Sequence, residues 1–128
     1  MAATPEQIRD TIAQYIRRFS ANDREGWLSL FAEDATVEDP VGSEVKKGHD
    51  GIAEFWDFVH SLSPSIELRP NGPACVAAPE AAFPIMIVND FGEMKMAIDA
   101  TDVMTFADDG RIASMRAFWD MADMRQLD

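Results

Sequence analysis

Three polar side chains sit where apolar ones are expected: Asp102, Asp39 and Tyr15. Between residues 94 and 106 the chain alternates with a period of two. Met94, Met96, Ile98, Ala100, Asp102, Met104 and Phe106 fall on one face, and Lys95, Ala97, Asp99, Thr101, Val103 and Thr105 on the other. Successive strand side chains point to opposite faces, so the first set is the expected buried face. A carboxylate lies in the middle of it. Burying an ionised carboxylate without a partner costs heavily, so such a group pairs or takes up a proton. A protonated Asp is a hydrogen-bond donor aimed into apolar space.

Asp39 ends the run Thr36-Val37-Glu38-Asp39, where Val37 and Asp39 share a face and Glu38 takes the other. If Val37 points inward, so does Asp39. Pro40 then restricts the backbone of the exit loop. Tyr15 is the one tyrosine of the chain and lies on an apolar helical stripe. Each residue also has a plainer role. Asp39 suits a turn cap, and Tyr15 suits a core position with its hydroxyl satisfied by a neighbour. Asp102 suits a buried ion pair. Arg116 is the nearest cation across the last hairpin, but it shares a face with Ile112, Ser114 and Phe118 rather than with Met115, Ala117 and Trp119.

Together the three groups fit one chemistry. A carboxylate removes a proton from a carbon beside a carbonyl. A tyrosine hydroxyl and a neutral Asp stabilise the enolate oxygen, and the same carboxylate returns the proton elsewhere. One Asp must be ionised and the other protonated in a single cavity, a split that burial can enforce. No Ser-His-Asp set or Gly-rich phosphate loop competes. One cysteine and two separated histidines, His49 and His60, give no zinc-type spacing, and both histidines are expected at the surface. The methionines suit core filling, or the lining for a large rigid apolar ligand.

These residues need a scaffold of modest size. The chain has 128 residues, 47% of them hydrophobic and 27% charged, which suits one domain spanning 1–128. Its net charge of −12 argues against nucleic acid or an anionic membrane as partner. A lone Cys75 excludes an intrachain disulfide and is consistent with a reducing compartment. The longest apolar run, residues 81–88, contains Pro84 and is too short to span a bilayer. No basic segment followed by an apolar one opens the sequence, so a cytoplasmic location is expected.

Thr4-Pro5-Glu6-Gln7 is a capping box with proline at the first helical position. Ile8, Ile12, Tyr15, Ile16 and Phe19 follow at helical spacing. A second helix is expected after Asp23, with Trp27, Leu28, Leu30 and Phe31 on its apolar side. A third is expected over 50–62, with Ile52, Phe55, Trp56 and Val59 inward. Strands are expected at 35–39, 65–69, 74–78, 80–88, 93–106 and 111–119. Asn89-Asp90-Phe91-Gly92 and Ala107-Asp108-Asp109-Gly110 read as turns, and a polar tail ends the chain. Residues 80–88 are apolar on both faces, so both sides are covered or one meets another subunit. Helices first and antiparallel strands after is an α+β pattern.

The run Ala35-Thr36-Val37-Glu38-Asp39-Pro40-Val41-Gly42-Ser43-Glu44 resembles the general-base segment of bacterial Δ5-3-ketosteroid isomerases. Asp102-Val103-Met104, Gly110-Arg111-Ile112, Met115 and Ala117-Phe118-Trp119 resemble that family's last hairpin. Tyr15 lies in a helix about the right distance upstream. The resemblance extends from Pro5 to Trp119. It implies a cone-shaped α+β fold shared with nuclear transport factor 2 and polyketide cyclases. Three N-terminal helices would pack on a strongly curved, mainly antiparallel sheet, as a homodimer and with no cofactor. It further implies that Asp39 moves a proton from C4 to C6 of a 3-oxo-Δ5 steroid, while Tyr15 and Asp102 donate to the C3 oxygen. An ungapped match through Ser114-Met115 selects Asp102 over nearby Asp99. The expected pocket wall comprises Trp119, Trp56, Phe55, Met86, Met104 and Val37. Positions that carry supporting tyrosines in the family hold Trp56 and Phe31 here; Trp56 keeps an indole N–H and Phe31 offers none.

Two other function classes stand beside a steroid isomerase. One is a different reaction on the same fold, such as a dehydratase or polyketide cyclase. Those relatives generally use a pocket histidine or an Asp-Arg-Asp set, and no inward histidine is expected here. The other is a non-catalytic module that binds an apolar ligand, which needs neither a base nor two donors.

Overall fold

The computed structural model describes residues 2–63 and 65–127. The first helix, α1 (Pro5–Ser20), starts with the expected capping box. Thr4 Oγ1 accepts the Gln7 N–H at 3.1 Å, and Gln7 Oε1 accepts the Thr4 N–H at 2.8 Å. These bonds satisfy two helix-end donors that would otherwise lack partners. The apolar stripe of Ile8, Ile12, Tyr15 and Phe19 is buried, which turns Tyr15 inward. Ser20 Oγ bonds both the N–H and the C=O of Leu68, and Thr11 Oγ1 donates to Gly110 O at 2.9 Å. The helix is thus fastened at its middle to the turn at Gly110 and at its C-terminal end to Leu68.

Helix α2 (Arg24–Leu28) is capped by Asp23 and ends before Leu30 and Phe31. Those residues do not extend it. Phe31 instead opens strand β1 (Phe31–Glu38), pairing with Ile112, whose N–H bonds Leu30 O. The strand stops one residue short of Asp39, which therefore stands at the start of a loop. Strand β2 (Lys46–Lys47) and helix α3 (Gly48–Leu62) follow.

The remaining strands are β3 (Ser65–Pro70), β4 (Cys75–Ala77), β5 (Glu80–Asp90), β6 (Lys95–Phe106), β7 (Ile112–Phe118) and β8 (Arg125–Leu127). The sheet order is β2-β1-β7-β6-β5-β3, with β4 on β5 and β8 on β6. Every pairing is antiparallel except β1 with β7. This is the expected α+β arrangement, three helices against a curved, unclosed sheet.

The hairpin turn before β7 forms as expected. Gly110 adopts φ +88°, a left-handed conformation that glycine takes without steric cost, and its N–H bonds Ala107 O. Two segments differ from expectation. Asn89 and Asp90 belong to β5, because they pair with Met96 and Lys95 of β6. The C-terminal residues are not a free polar tail. They form a 3-10 turn at Met121–Asp123 and then β8. Arg125 fixes that strand by bonding Asp99 with both terminal nitrogens, at 2.8 and 3.2 Å. On β5 the side facing the helices is tightly buried at Ala81, Phe83 and Ile85. The reverse side is half-exposed at Ala82, Pro84 and Met86 and closed at Val88.

The core centres on Trp27, whose ring lies 4.7 Å from Phe31, 5.0 Å from Trp56, 5.9 Å from Tyr15 and 6.1 Å from Phe19. Aromatic pairs at these separations contribute beyond their buried area. One fully enclosed indole thus joins all three helices to β1. Trp27→Ala is expected to lower unfolding free energy by ~3–5 kcal/mol, measured by urea denaturation; a loss below ~1 kcal/mol would deny Trp27 this central place.

Candidate functional site

A cavity of about 360 Å³ opens between the helices and the concave face of the sheet. This is within the range of small-molecule sites. Its wall is apolar for most of its depth, formed by residues such as Phe19, Phe55, Ile85 and Ile98. Tyr15, Asp39 and Asp102 all reach it. Three different elements deliver them: the stripe of α1, the loop after β1 and the inner face of β6.

Asp102 is 2% exposed. It pairs across the sheet with Phe83 on one side and Ala117 on the other. Among the described residues its carboxyl has neither a hydrogen bond nor an ion pair. Burial, and then the nearby Asp39, hold its pKa well above the usual carboxylate range. Both effects disfavour the charged form. Asp102 thus faces the cavity in surroundings that favour its neutral form. Arg116 does not neutralise it. That guanidinium lies on the outer side of β7, bonded to Glu38 at 2.9 Å and set over the Phe118 ring. Asp99 is exposed and engaged by Arg125, as the alternation requires.

Tyr15 is buried too, and its hydroxyl has no hydrogen-bond partner among the described residues. Its pKa is raised well above the ordinary phenol value, by burial first and then by Asp102 and Asp39. Phe31 and Phe83 meet its ring edge-on, each with centroids 6.3 Å away. The indole of Trp56 does not support the hydroxyl. It faces Phe19, Trp27 and His60 instead.

Asp39 is half-buried and differently placed. Trp119 Nε1 donates to Asp39 Oδ1 at 2.6 Å. Burial raises its pKa, and this hydrogen bond to the charged form opposes the rise. The loop that carries Asp39 is pinned on both sides. Glu38 accepts the Gly42 N–H at 3.0 Å as well as the Arg116 guanidinium, and the Val41 N–H bonds Ala117 O at 2.8 Å. Chemically, the site holds one carboxyl oriented by an indole N–H and two buried oxygen acids whose charged forms are disfavoured.

Of the expected wall residues, Trp119 and Phe55 line the cavity. Four others do not. Val37 and Met104 share a face with the site but are sealed in the core, with no exposed surface. Met86 points to the reverse side of β5, where Arg125 Nη2 approaches its sulfur at 3.3 Å. Trp56 turns into the aromatic cluster between the helices, and α3 instead offers Phe58, Val59 and Leu62 to the cavity beside Phe55. The histidines are not simple surface groups. His49 bonds Phe31 O, and His60 is stacked 4.0 Å from the Trp56 ring with its Nδ1 on Trp56 O. Neither lines the cavity. Met121 and Met124, which sequence reasoning raised only among the methionines as a group, and Asn89, which it missed, do. The inward period-two set Phe83, Ile85, Ile87, Asn89 was the available signal for Asn89. The short C-terminal elements gave none. No group of three or more His, Cys, Asp or Glu among the described residues could hold a metal ion, and no helix among them is long and apolar enough to cross a membrane.

Residues 12–115 match the SnoaL-like domain family. A Steroid Delta-isomerase from Nocardioides simplex is 35% identical over 118 residues, covering 92% of this chain and 94% of that protein. Epoxide hydrolase LasB from Streptomyces lasalocidi is 31% identical over 124 residues, covering 92% of this chain but 43% of that longer protein. The solved structure of SalBIII, described as an epoxide hydrolase/cyclase-like enzyme in pyran ring formation in the polyether salinomycin, has a TM-score of 0.85. Its sequence identity is 26%, with 95% of this chain and 97% of that one covered. By the extent of these matches, and by a curved sheet enclosing an apolar cavity, the chain belongs to the SnoaL-like family.

Proposed function

We propose that the chain is a steroid Δ-isomerase that moves the C5–C6 double bond of a 3-oxo-Δ5 steroid into conjugation. One observation carries this reading. Two buried oxygen acids without protein partners, Tyr15 and Asp102, share an apolar cavity with a carboxylate held by Trp119. Asp39 takes the C4 proton, and the C–H electrons form the C3–C4 double bond as the C3 carbonyl becomes a dienolate oxygen. Tyr15 and Asp102 donate to that oxygen. The dienolate then collapses and takes the proton back from Asp39 at C6. No net redox change occurs and no cofactor is needed. Donors placed where charge develops act most strongly in a water-poor site. With this activity we propose a single domain over 1–128, a homodimer and a cytoplasmic location.

The similarity to LasB and SalBIII favours a second reading, an epoxide-opening enzyme. A neutral Asp102 could protonate the epoxide oxygen while Asp39 deprotonates the attacking hydroxyl. Direct incubation with a 3-oxo-Δ5 steroid separates the two. Growth of the conjugated-enone absorbance supports the isomerase, and its absence at high enzyme concentration sinks it.

Asp39→Asn should slow turnover by ~10²-fold or more while leaving steroid affinity nearly unchanged; a variant with near-native turnover removes Asp39 from the base role. Asp102→Leu should slow turnover by ~10²-fold or more through the lost donor, and full activity would make Asp102 purely structural. Stability should follow the protonation of Asp102. The folded state keeps a proton that the unfolded chain releases above the ordinary carboxylate pKa of ~3.9. Stability is therefore lost as pH rises above that value, until Asp102 ionises in the folded state as well. Asp102→Asn should flatten this fall and raise Tm at neutral pH. Thermal denaturation across pH 5–9 checks it, and an unchanged slope would mean that Asp102 is already ionised.

A further inference from the structure

The inner face of β5 presents Phe83, Ile85, Ile87 and Asn89 in turn. The first three are apolar, and the fourth is an amide. Asn89 lines the same cavity as Asp102, together with Ile66, Ile87, Phe91 and Met124, and pairs with Ile66 across the sheet. Its half-exposed side chain has no hydrogen-bond partner among the described residues. An amide in an apolar wall is unfavourable unless something bonds it. A leucine there would serve a purely hydrocarbon ligand better.

Its place along the strand gives it meaning. Asp102 faces Phe83 across the sheet, and Asn89 lies six positions further along β5. At ~3.3 Å per residue this separates the two sites by at most ~20 Å, less where the sheet bends. The lining residues Phe58, Leu62, Phe91 and Met121 are exposed, which marks the side on which the cavity opens to solvent. The polar groups thus stand at two ends of an apolar channel. Tyr15 and Asp102 are buried toward one end, and half-exposed Asn89 lies toward the other.

We infer that Asn89 is a specificity residue that hydrogen-bonds an oxygen at the far end of a long, rigid ligand. For the steroid proposed above, on which this assignment rests, that oxygen is the substituent at C17. A carbonyl there accepts from the amide N–H, and a hydroxyl can also donate to the amide oxygen. The preferred substrates are accordingly 3-oxo-Δ5 steroids oxygenated at C17 rather than 17-deoxy analogues or steroids with a long hydrocarbon side chain.

The test compares two phenolic steroids, estrone and 17-deoxyestrone, binding to the wild-type protein and to Asn89→Leu by calorimetry. The wild type should prefer estrone by ~3–10-fold, the effect of one net hydrogen bond. Asn89→Leu should lose that preference while still binding the 17-deoxy compound, which also verifies that the variant is folded. In steady-state assays the variant should raise KM for a 17-oxo substrate and leave kcat unchanged. An equal preference in both proteins, no preference in the wild type, or no binding of either compound would overturn the assignment. Isomerase activity is scored separately. A preference lost in the variant without any turnover of 3-oxo-Δ5 steroids would uphold Asn89 and refute the isomerase. Turnover without the preference would do the reverse.

Discussion

Everything at this site depends on keeping positive charge out of the cavity. A buried carboxyl with a cation beside it would ionise and lose its capacity to donate. The chain avoids this by geometry. Arg116 is on the outer side of β7 with Glu38, and Arg125 is outside with Asp99. Both histidines are turned toward backbone carbonyls elsewhere. The described cavity wall holds no lysine, arginine or histidine. Asp39 is the nearest charge, and its sign reinforces the protonation of Asp102.

The two acids are unequal because their surroundings are unequal. Asp102 projects from the middle of a strand, between Phe83 and Ala117 on its neighbours. Asp39 projects from a loop, retains some exposure and receives an indole N–H. The same side chain is thus left without a protein partner in one place and accepts a hydrogen bond in the other. Tyr15 stands between these extremes. Its ring is held by three aromatic neighbours, while its hydroxyl has no supporting hydrogen bond among the described residues.

Much of this was legible in the sequence, wherever a strict period met a residue that broke it. Asp102 stood out against alternation and Tyr15 against a helical stripe. The capping box marked the start of α1 to the residue. Other features depended on long-range contacts that periodicity does not carry. Phe31 looked helical by spacing but pairs with Ile112, far along the chain. Trp56 and Phe55 are adjacent and both apolar, so only the packed orientation of α3 decides which one meets the cavity. Met86 lies on an apolar run whose two faces look alike in sequence. The short segment from Met121 to Leu127 has too few residues for any pattern, and its position comes from Arg125 and Asp99.

Glu38 has its own significance for Asp39 beside it. Its carboxylate grips the Gly42 amide and the Arg116 side chain, and these contacts hold its pKa below the ordinary glutamate value. Asp39 is shifted the opposite way. The contacts that close the loop thus favour the ionised form of Glu38, whereas burial disfavours that of Asp39.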